Sequence, residues 1–253
     1  MTQPGGIPGP GLRTGRFGAF ALEAEAEAEA GEPGAREPVT GSVVLVESYG
    51  DPVETAPLLP GEEQLVARAV PSRRAEFATA RACARAALAQ LGVAPAAILR
   101  GARGEPLWPA GIVGAMTHCA GYRAAAVARA ADVVALGMDA EPHLPMPGQG
   151  ELQLVTVAEE RRQLPELAAR RPEVCWDRLL FSAKESVYKA WYPITGRWLG
   201  FEDAVITPDP DSGTFTARLL VPGPVVAGKT LTGFDGTWTI RDGLIRTAVA
   251  VGH

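Results

Sequence analysis

The sequence predicts a mixed α/β chain built as two joined halves, and three observations point there. Each half opens on a short apolar run suited to a buried strand, Val43-Val44-Leu45-Val46 in one and Val133-Val134-Ala135-Leu136 in the other. Each then carries one long helical pattern, over 73–91 and 176–191. Each closes on further strand-like runs separated by Gly- and Pro-rich turns. No residue-level repeat accompanies this loose duplication. A tightly joined pair of subdomains with a cleft between them fits better than two independent domains.

Residues 1–38 stand apart. Gly and Pro dominate the first stretch, and Glu23, Glu25, Glu27 and Glu29 then alternate with alanines, which leaves no apolar stripe. The segment is expected to be a mostly disordered, low-complexity extension, folded back at most locally. In the first subdomain, 39–131, the strand at Val43 leads to Pro71-Ser72 and a helix over Arg73–Leu91. Its alanines favour helix, Phe77, Ala80, Ala84 and Leu88 share a face, and Gly92 is the stop. A strand is expected near Ile98, an irregular loop over 101–114 with Pro106 and Pro109, and a strand over Tyr122–Val127. The second subdomain, 132–253, begins with a strand running into Asp139, followed by a Pro- and Gly-rich loop through Gly150. A charged helical stretch covers 157–171, and a second long helix spans Trp176–Trp191, ended by Pro193. Strands at 204–207, 215–221, 237–240 and 244–251 complete it.

The chain has 253 residues, 47% of them hydrophobic, enough for a real core. A net charge of -5 argues against a general nucleic-acid binder, which carries a broad basic surface. Cys83, Cys119 and Cys175 lie too far apart for a zinc spacing or a disulfide scaffold, so a reducing compartment, the cytoplasm, is expected. No apolar run approaches the ~20 residues that span a bilayer. The chain start lacks the order of a secretory signal.

Asp139 and Glu141 follow the strand over 133–138, and i,i+2 side chains of a strand share a side. With Glu185 from the second long helix they make three carboxylates, a hard oxygen set suited to Mg²⁺. The pair alone also reads as two solvated carboxylates at a strand end, and Glu185 with Lys189 as a surface i,i+4 ion pair. Phe181, Tyr188 and Trp191 around those charges favour a partly buried site. Arg73, Arg74 and Arg81 near a helix start, with Arg103 before Pro106, are candidates for holding phosphates, or are ordinary surface. His118 and Cys119 point oppositely in extended backbone, so a hydrogen bond from Thr117 and His118 to a ligand is more reasonable than a Cys/His nucleophile pair.

Four segments in order carry a resemblance: Arg103–Pro109, Gly114–Cys119, Gly137-Met138-Asp139-Ala140-Glu141, and Phe181 through Lys189. They resemble the phosphopantetheinyl transferase superfamily, in its monomeric surfactin- and enterobactin-type branch, with the last two matching its G-x-D-x-E and (W/F)-S-x-K-E-x-x-x-K signatures. Ala115 and Phe181 depart from the serine and tryptophan common in that branch. The resemblance implies an α+β fold of two similar α/β subdomains related by pseudo-twofold symmetry, with the active site at their junction. It implies a monomeric enzyme that moves the phosphopantetheine arm of coenzyme A onto a serine of acyl or peptidyl carrier proteins and releases 3′,5′-ADP. It assigns Asp139, Glu141 and Glu185 to Mg²⁺, and Arg74 (or Arg73), Arg81, Arg103, Thr117, His118, Lys184 and Lys189 to coenzyme A. Glu185 is the candidate base, directly or through water, with Lys184 or Lys189 offsetting charge. Two rivals are another Mg²⁺-dependent phosphoryl enzyme, such as a nucleotide pyrophosphohydrolase, and a non-catalytic coenzyme A-binding module.

Overall fold

The computed structural model describes residues 12–16, 43–52 and 57–253. The first lobe holds β1 (Leu12–Arg16), β2 (Val44–Tyr49), α1 (Glu62–Leu65), α2 (Pro71–Gln90), β3 (Leu99–Arg100), β4 (Pro106–Leu107), β5 (Ile112–Cys119) and β6 (Tyr122–Arg129). The second begins with β7 (Ala135–Pro142), α3 (Gln149–Val155), α4 (Ala158–Arg170) and α5 (Trp176–Thr195). A 3-10 turn (Phe201–Asp203) then precedes β8 (Ala204–Asp209), β9 (Thr214–Leu219), β10 (Val225–Val226), β11 (Lys229–Thr230), β12 (Gly233–Arg241) and β13 (Leu244–Val251).

The duplication read from the sequence is a pseudo-twofold relation between two antiparallel sheets, ordered β1-β2-β6-β5 and β7-β13-β12-β9-β8. Leaving the edge strand β1 aside, in each lobe the opening strand, β2 or β7, is followed by a 20-residue helix, α2 or α5. The opening strand pairs with the last strand, β6 or β13, which pairs in turn with its hairpin mate, β5 or β12. Cys83, Ala84, Ala87 and Leu88 of α2 cover one face of the first sheet, against Val46, Ala125 and Val127. Leu179, Ala183 and Val187 of α5 cover the outer face of the second, against Ile206, Ile245 and Val249.

The remaining faces of the two sheets meet each other. Ala115, Ala124, Ala126 and Ala128 pack against Leu136, Met138, Ala140 and Ala248, giving helix–sheet–sheet–helix layers. A strand covered on both faces reads as a continuous apolar run, and β6 is buried from Tyr122 through Ala128. Its alanines alternate between α2 and the second sheet, and their small size lets both layers come close.

Several boundaries differ from the sequence reading. Pro71 occupies the first turn of α2, where its missing N–H costs nothing. Pro193 does not end α5: the helix continues to Thr195 and stops at Gly196, whose φ of 62° is the left-handed cap that glycine accepts. The 101–114 stretch is less irregular than expected, for it holds most of the β3–β4 hairpin and the start of β5. Helix α3 begins in the last two residues of the segment read as loop and continues through residues to which the sequence reading gave no element. Leu12–Arg16 is an ordered edge strand, paired from Leu12 opposite Ser48 to Arg16 opposite Val44, so disorder does not describe these five residues of the extension. The Glu23–Glu29 alternation lies outside the described residues. Among the described residues, no helix is long and apolar enough to cross a membrane.

Candidate active site at the lobe junction

Strand alternation divides β7 between its two neighbours. Leu136, Met138 and Ala140 face the first lobe, while Gly137, Asp139 and Glu141 lie on the α5 side. A Cβ at Gly137 would stand 1.9 Å from the Ser186 carbonyl oxygen and 2.8 Å from the Ala190 nitrogen. The absent side chain is what lets α5 lie directly on the strand.

That approach brings Lys189 to Asp139, Nζ to Oδ1 at 2.7 Å. The Thr117 hydroxyl donates to the same oxygen at 3.1 Å and accepts from the Ala140 N–H at 3.1 Å. Ser182 donates to Oδ2 at 2.9 Å, with Thr247 3.0 Å from the Ser182 hydroxyl. Asp139 is therefore held by β5 of one lobe and α5 of the other. Glu141 pairs with Arg178 at 3.1 Å. Burial, with Asp139 adding to it, raises the Glu141 pKa, and Arg178 opposes the rise. Glu185 sits one turn before Lys189 on α5. Burial raises its carboxyl pKa, Lys189 pulls it down, and Asp139 pushes it further up.

A cleft of about 660 Å³ runs along this junction. Arg73, Arg81, Arg103, Thr117 and His118 line one wall, and Glu185 and Lys189 the other. Arg81 is 5% exposed and stacks its guanidinium 3.8 Å above the Phe77 ring, while its Nε donates to the Ile98 carbonyl at 3.2 Å. Burial, together with the neighbouring Arg100, lowers its pKa to about 10, which leaves it charged at neutral pH. Arg73 bonds Glu76 at 2.9 Å. Arg103 is exposed in the turn between β3 and β4, at the cleft. His118 stands on the cleft wall with its pKa lowered by desolvation and by the nearby cations Arg73 and Lys189.

The expected metal ligands Asp139 and Glu141 lie at the junction but do not line the cleft, and two residues expected beside coenzyme A are not brought to it either. Arg74 is exposed and does not line it, whereas Arg73 does, which separates the two arginines the sequence left open. Lys184, expected beside coenzyme A, is corrected more sharply. Its side chain is 3% exposed, its ammonium pairs with Glu160 of α4 at 2.8 Å and donates to the Phe201 carbonyl, and it does not line the main cleft. Burial lowers its pKa and Glu160 opposes that. Helical geometry explains the separation: residues 184 and 189 lie about 140° apart around α5. The Cys119 thiol, pushed up to about 12 by burial and by Glu141 and Asp139, is no nucleophile at neutral pH.

The sequence reading missed Arg100, which joins the cleft wall 5.4 Å from the Phe77 ring. It also missed Arg178 opposite Glu141, the Ser182–Thr247 pair behind Asp139, and Tyr192, which lines the cleft beside the Tyr188 expected near the site. Arg100 had a signal, a basic residue at the mouth of a Gly101–Gly104 turn. Thr247 had none, because its place behind Asp139 depends on the register of β13 with β7.

The three carboxylates bear on a metal. Among the described residues no group of three Asp, Glu, His or Cys side chains is gathered as a metal cluster; Asp139 is turned to Lys189 and Glu141 to Arg178. The donor chemistry nevertheless fits Mg²⁺: all are hard oxygens, and Asp139 raises the pKa of both glutamates, a repulsion that a cation relieves.

Two pseudo-symmetric lobes, with an arginine-rich wall facing a carboxylate–lysine wall across their junction, define a site for a phosphorylated substrate. Comparison with known proteins narrows the class. Residues 61–128 match the 4'-phosphopantetheinyl transferase N-terminal domain, and residues 135–229 match the 4'-phosphopantetheinyl transferase superfamily. The chain is 61% identical over 201 residues to 4'-phosphopantetheinyl transferase Svp of Streptomyces mobaraensis, covering 79% of this chain and 80% of that one. It is 49% identical to 4'-phosphopantetheinyl transferase PptT of Mycobacterium tuberculosis, covering 83% of this chain and 92% of that one. Enterobactin synthase component D of Salmonella typhi is 33% identical over 57% of this chain and 55% of its own length. The chain belongs to the 4'-phosphopantetheinyl transferase superfamily, in its surfactin- and enterobactin-type branch. It is a transferase that uses coenzyme A, and its family makes acyl and peptidyl carrier proteins the acceptor class.

Proposed function

We propose that the chain transfers the 4'-phosphopantetheine arm of coenzyme A to the serine of carrier proteins of fatty-acid, polyketide or non-ribosomal peptide synthesis, releasing 3′,5′-ADP, through the residues of this cleft. The supporting observation is that one cleft joins a cationic wall to Glu185 and Lys189. Arg73, Arg81, Arg100 and Arg103 hold the phosphates of coenzyme A, with Arg81 fixed by its stack on Phe77. His118 donates to a phosphate oxygen, which the charge of the ligand favours. Asp139, Glu141 and Glu185 are the residues that would hold Mg²⁺, which when bound neutralises pyrophosphate oxygens. Glu185 accepts the proton of the attacking serine, directly or through a water; burial raises its basicity, and a bound Mg²⁺ would lower it, which favours the relay through water. Lys189, held by Asp139 at 2.7 Å, stands where negative charge develops as the phosphoanhydride breaks. Both walls come from one chain, so a monomer suffices.

Mass spectrometry tests this on a panel of apo-carriers incubated with coenzyme A and Mg²⁺. Addition of the arm to serine is expected. Unmodified carriers beside cleaved coenzyme A would favour a pyrophosphohydrolase, and unmodified carriers beside intact, bound coenzyme A would favour a binding module.

A further inference from the structure

Lys184 lies beside Glu185 in sequence yet away from the main cleft, and its surroundings assign it work of another kind. Its Nζ is 2.8 Å from Glu160 Oε2, with side-chain exposures of 3% and 0%, and it also donates to the Phe201 carbonyl. Glu160 is filled on every side: Oε1 accepts the Ile206 N–H at 2.7 Å, and Oε2 accepts the Val157 N–H at 2.8 Å. One buried ion pair thus ties the start of α4, the start of β8, the 3-10 turn and the middle of α5.

We propose that Lys184 and Glu160 are positioning residues for the transfer reaction: they fix the rotation of α5 about its axis, so that Glu185 and Lys189 face the cleft. A buried ion pair contributes little net stability against an apolar packing of equal volume, but it permits one arrangement where an apolar contact permits several. Lys184 sits about 100° around the helix from Glu185 and about 140° from Lys189, so pinning it fixes the direction of both. With side chains reaching ~6 Å from the axis, a 20° rotation moves their tips by ~2 Å. A misplacement of ~1 Å is enough to slow chemistry about 100-fold. The inference rests on the transferase reading and departs from the family expectation that Lys184 touches coenzyme A.

The test uses the full-length protein and the variants Lys184→Met, Glu160→Gln and their double. Binding of 3′,5′-ADP is measured by calorimetry, and kcat and KM for coenzyme A on a carrier that the wild type modifies. Both single variants are expected to bind 3′,5′-ADP within about twofold of wild type and to lose about 100-fold in kcat. The double variant should lose no more than the worse single one, because each partner acts only through the other. Tenfold weaker 3′,5′-ADP binding in Lys184→Met but not in Glu160→Gln would overturn the proposal and make Lys184 a ligand contact. Wild-type kcat in either folded variant would overturn it too. Should Lys184→Met not fold, Glu160→Gln, which keeps an amide oxygen for a backbone N–H, decides on its own. Absence of transfer by the wild type would count against the transferase reading instead, and it is measured before any variant.

Discussion

Replacing Gly137 with alanine adds one methyl group where β7 and α5 touch. The new Cβ would lie 1.9 Å from the Ser186 carbonyl oxygen, whereas Cβ atoms do not approach within 3.0 Å of such neighbours, a shortfall of about 1.1 Å. Backbone cannot rotate out of the way as a side chain does, so α5 has to retreat by about that distance. The Ser182 hydroxyl is short and cannot follow, and its 2.9 Å bond to Asp139 stretches to about 4 Å, beyond hydrogen-bonding range. Overpacking costs about 1–3 kcal/mol and the lost bond to a charged group about 1.5–3 kcal/mol. At about 2–4 °C per kcal/mol for a chain of this size, Tm falls by about 10 °C. The retreat also displaces Glu185 and Lys189, and kcat falls about 100-fold. Gly150 of α3 is the control, because its Cβ would meet nothing within 4 Å, and Gly150→Ala leaves Tm and kcat at or slightly above wild type. Thermal unfolding and carrier modification followed by mass spectrometry read both quantities. A Gly137→Ala protein with wild-type Tm and kcat would refute the claim that this contact sets the site.

Glu185→Gln should abolish transfer while 3′,5′-ADP binding, measured by calorimetry, persists. Asp139→Asn should lose turnover and also about 2 kcal/mol of stability, because Lys189, Thr117 and Ser182 all bond this carboxylate; chemical denaturation reads the second effect. Arg74→Ala should leave 3′,5′-ADP affinity unchanged and Arg73→Ala should weaken it about tenfold, since only Arg73 lines the cleft. His118 starts with a lowered pKa, and a bound phosphate raises it, so the complex holds more protons than the free protein. Affinity for 3′,5′-ADP should accordingly tighten as pH falls through the His118 range, and His118→Asn should flatten this component, protonation of the phosphate itself cancelling in the comparison.

The parts legible in the sequence are those set by local periodicity. Phe77, Ala80, Ala84 and Leu88 at helical spacing gave α2 its buried face, and the apolar run before Asp139 gave β7. Asp139 and Glu141 could be placed on one side of a strand from the alternation alone. What stayed hidden depends on contacts between distant segments. Nothing near Lys184 in the chain shows that Glu160 waits for it across the α4–α5 packing, although the helical angle from Lys189 already set the two lysines apart. Pro193 looked like a stop because proline breaks helices, yet the cap at Gly196 carried the real signal. The three carboxylates were legible as a set, while their separate holders, Lys189 for Asp139 and Arg178 for Glu141, were not.

The Thr117 hydroxyl, shared between Asp139 and the Ala140 N–H, has a consequence for how such enzymes can be recombined. A chimaera that takes its first lobe from one relative and its second from another cuts the chain between β6 and β7, but the inheritable unit is the seam rather than the lobe. Thr117 must travel with Asp139, and the alanines of β6 with Met138 and Ala140, or the grafted halves will meet at the wrong distance.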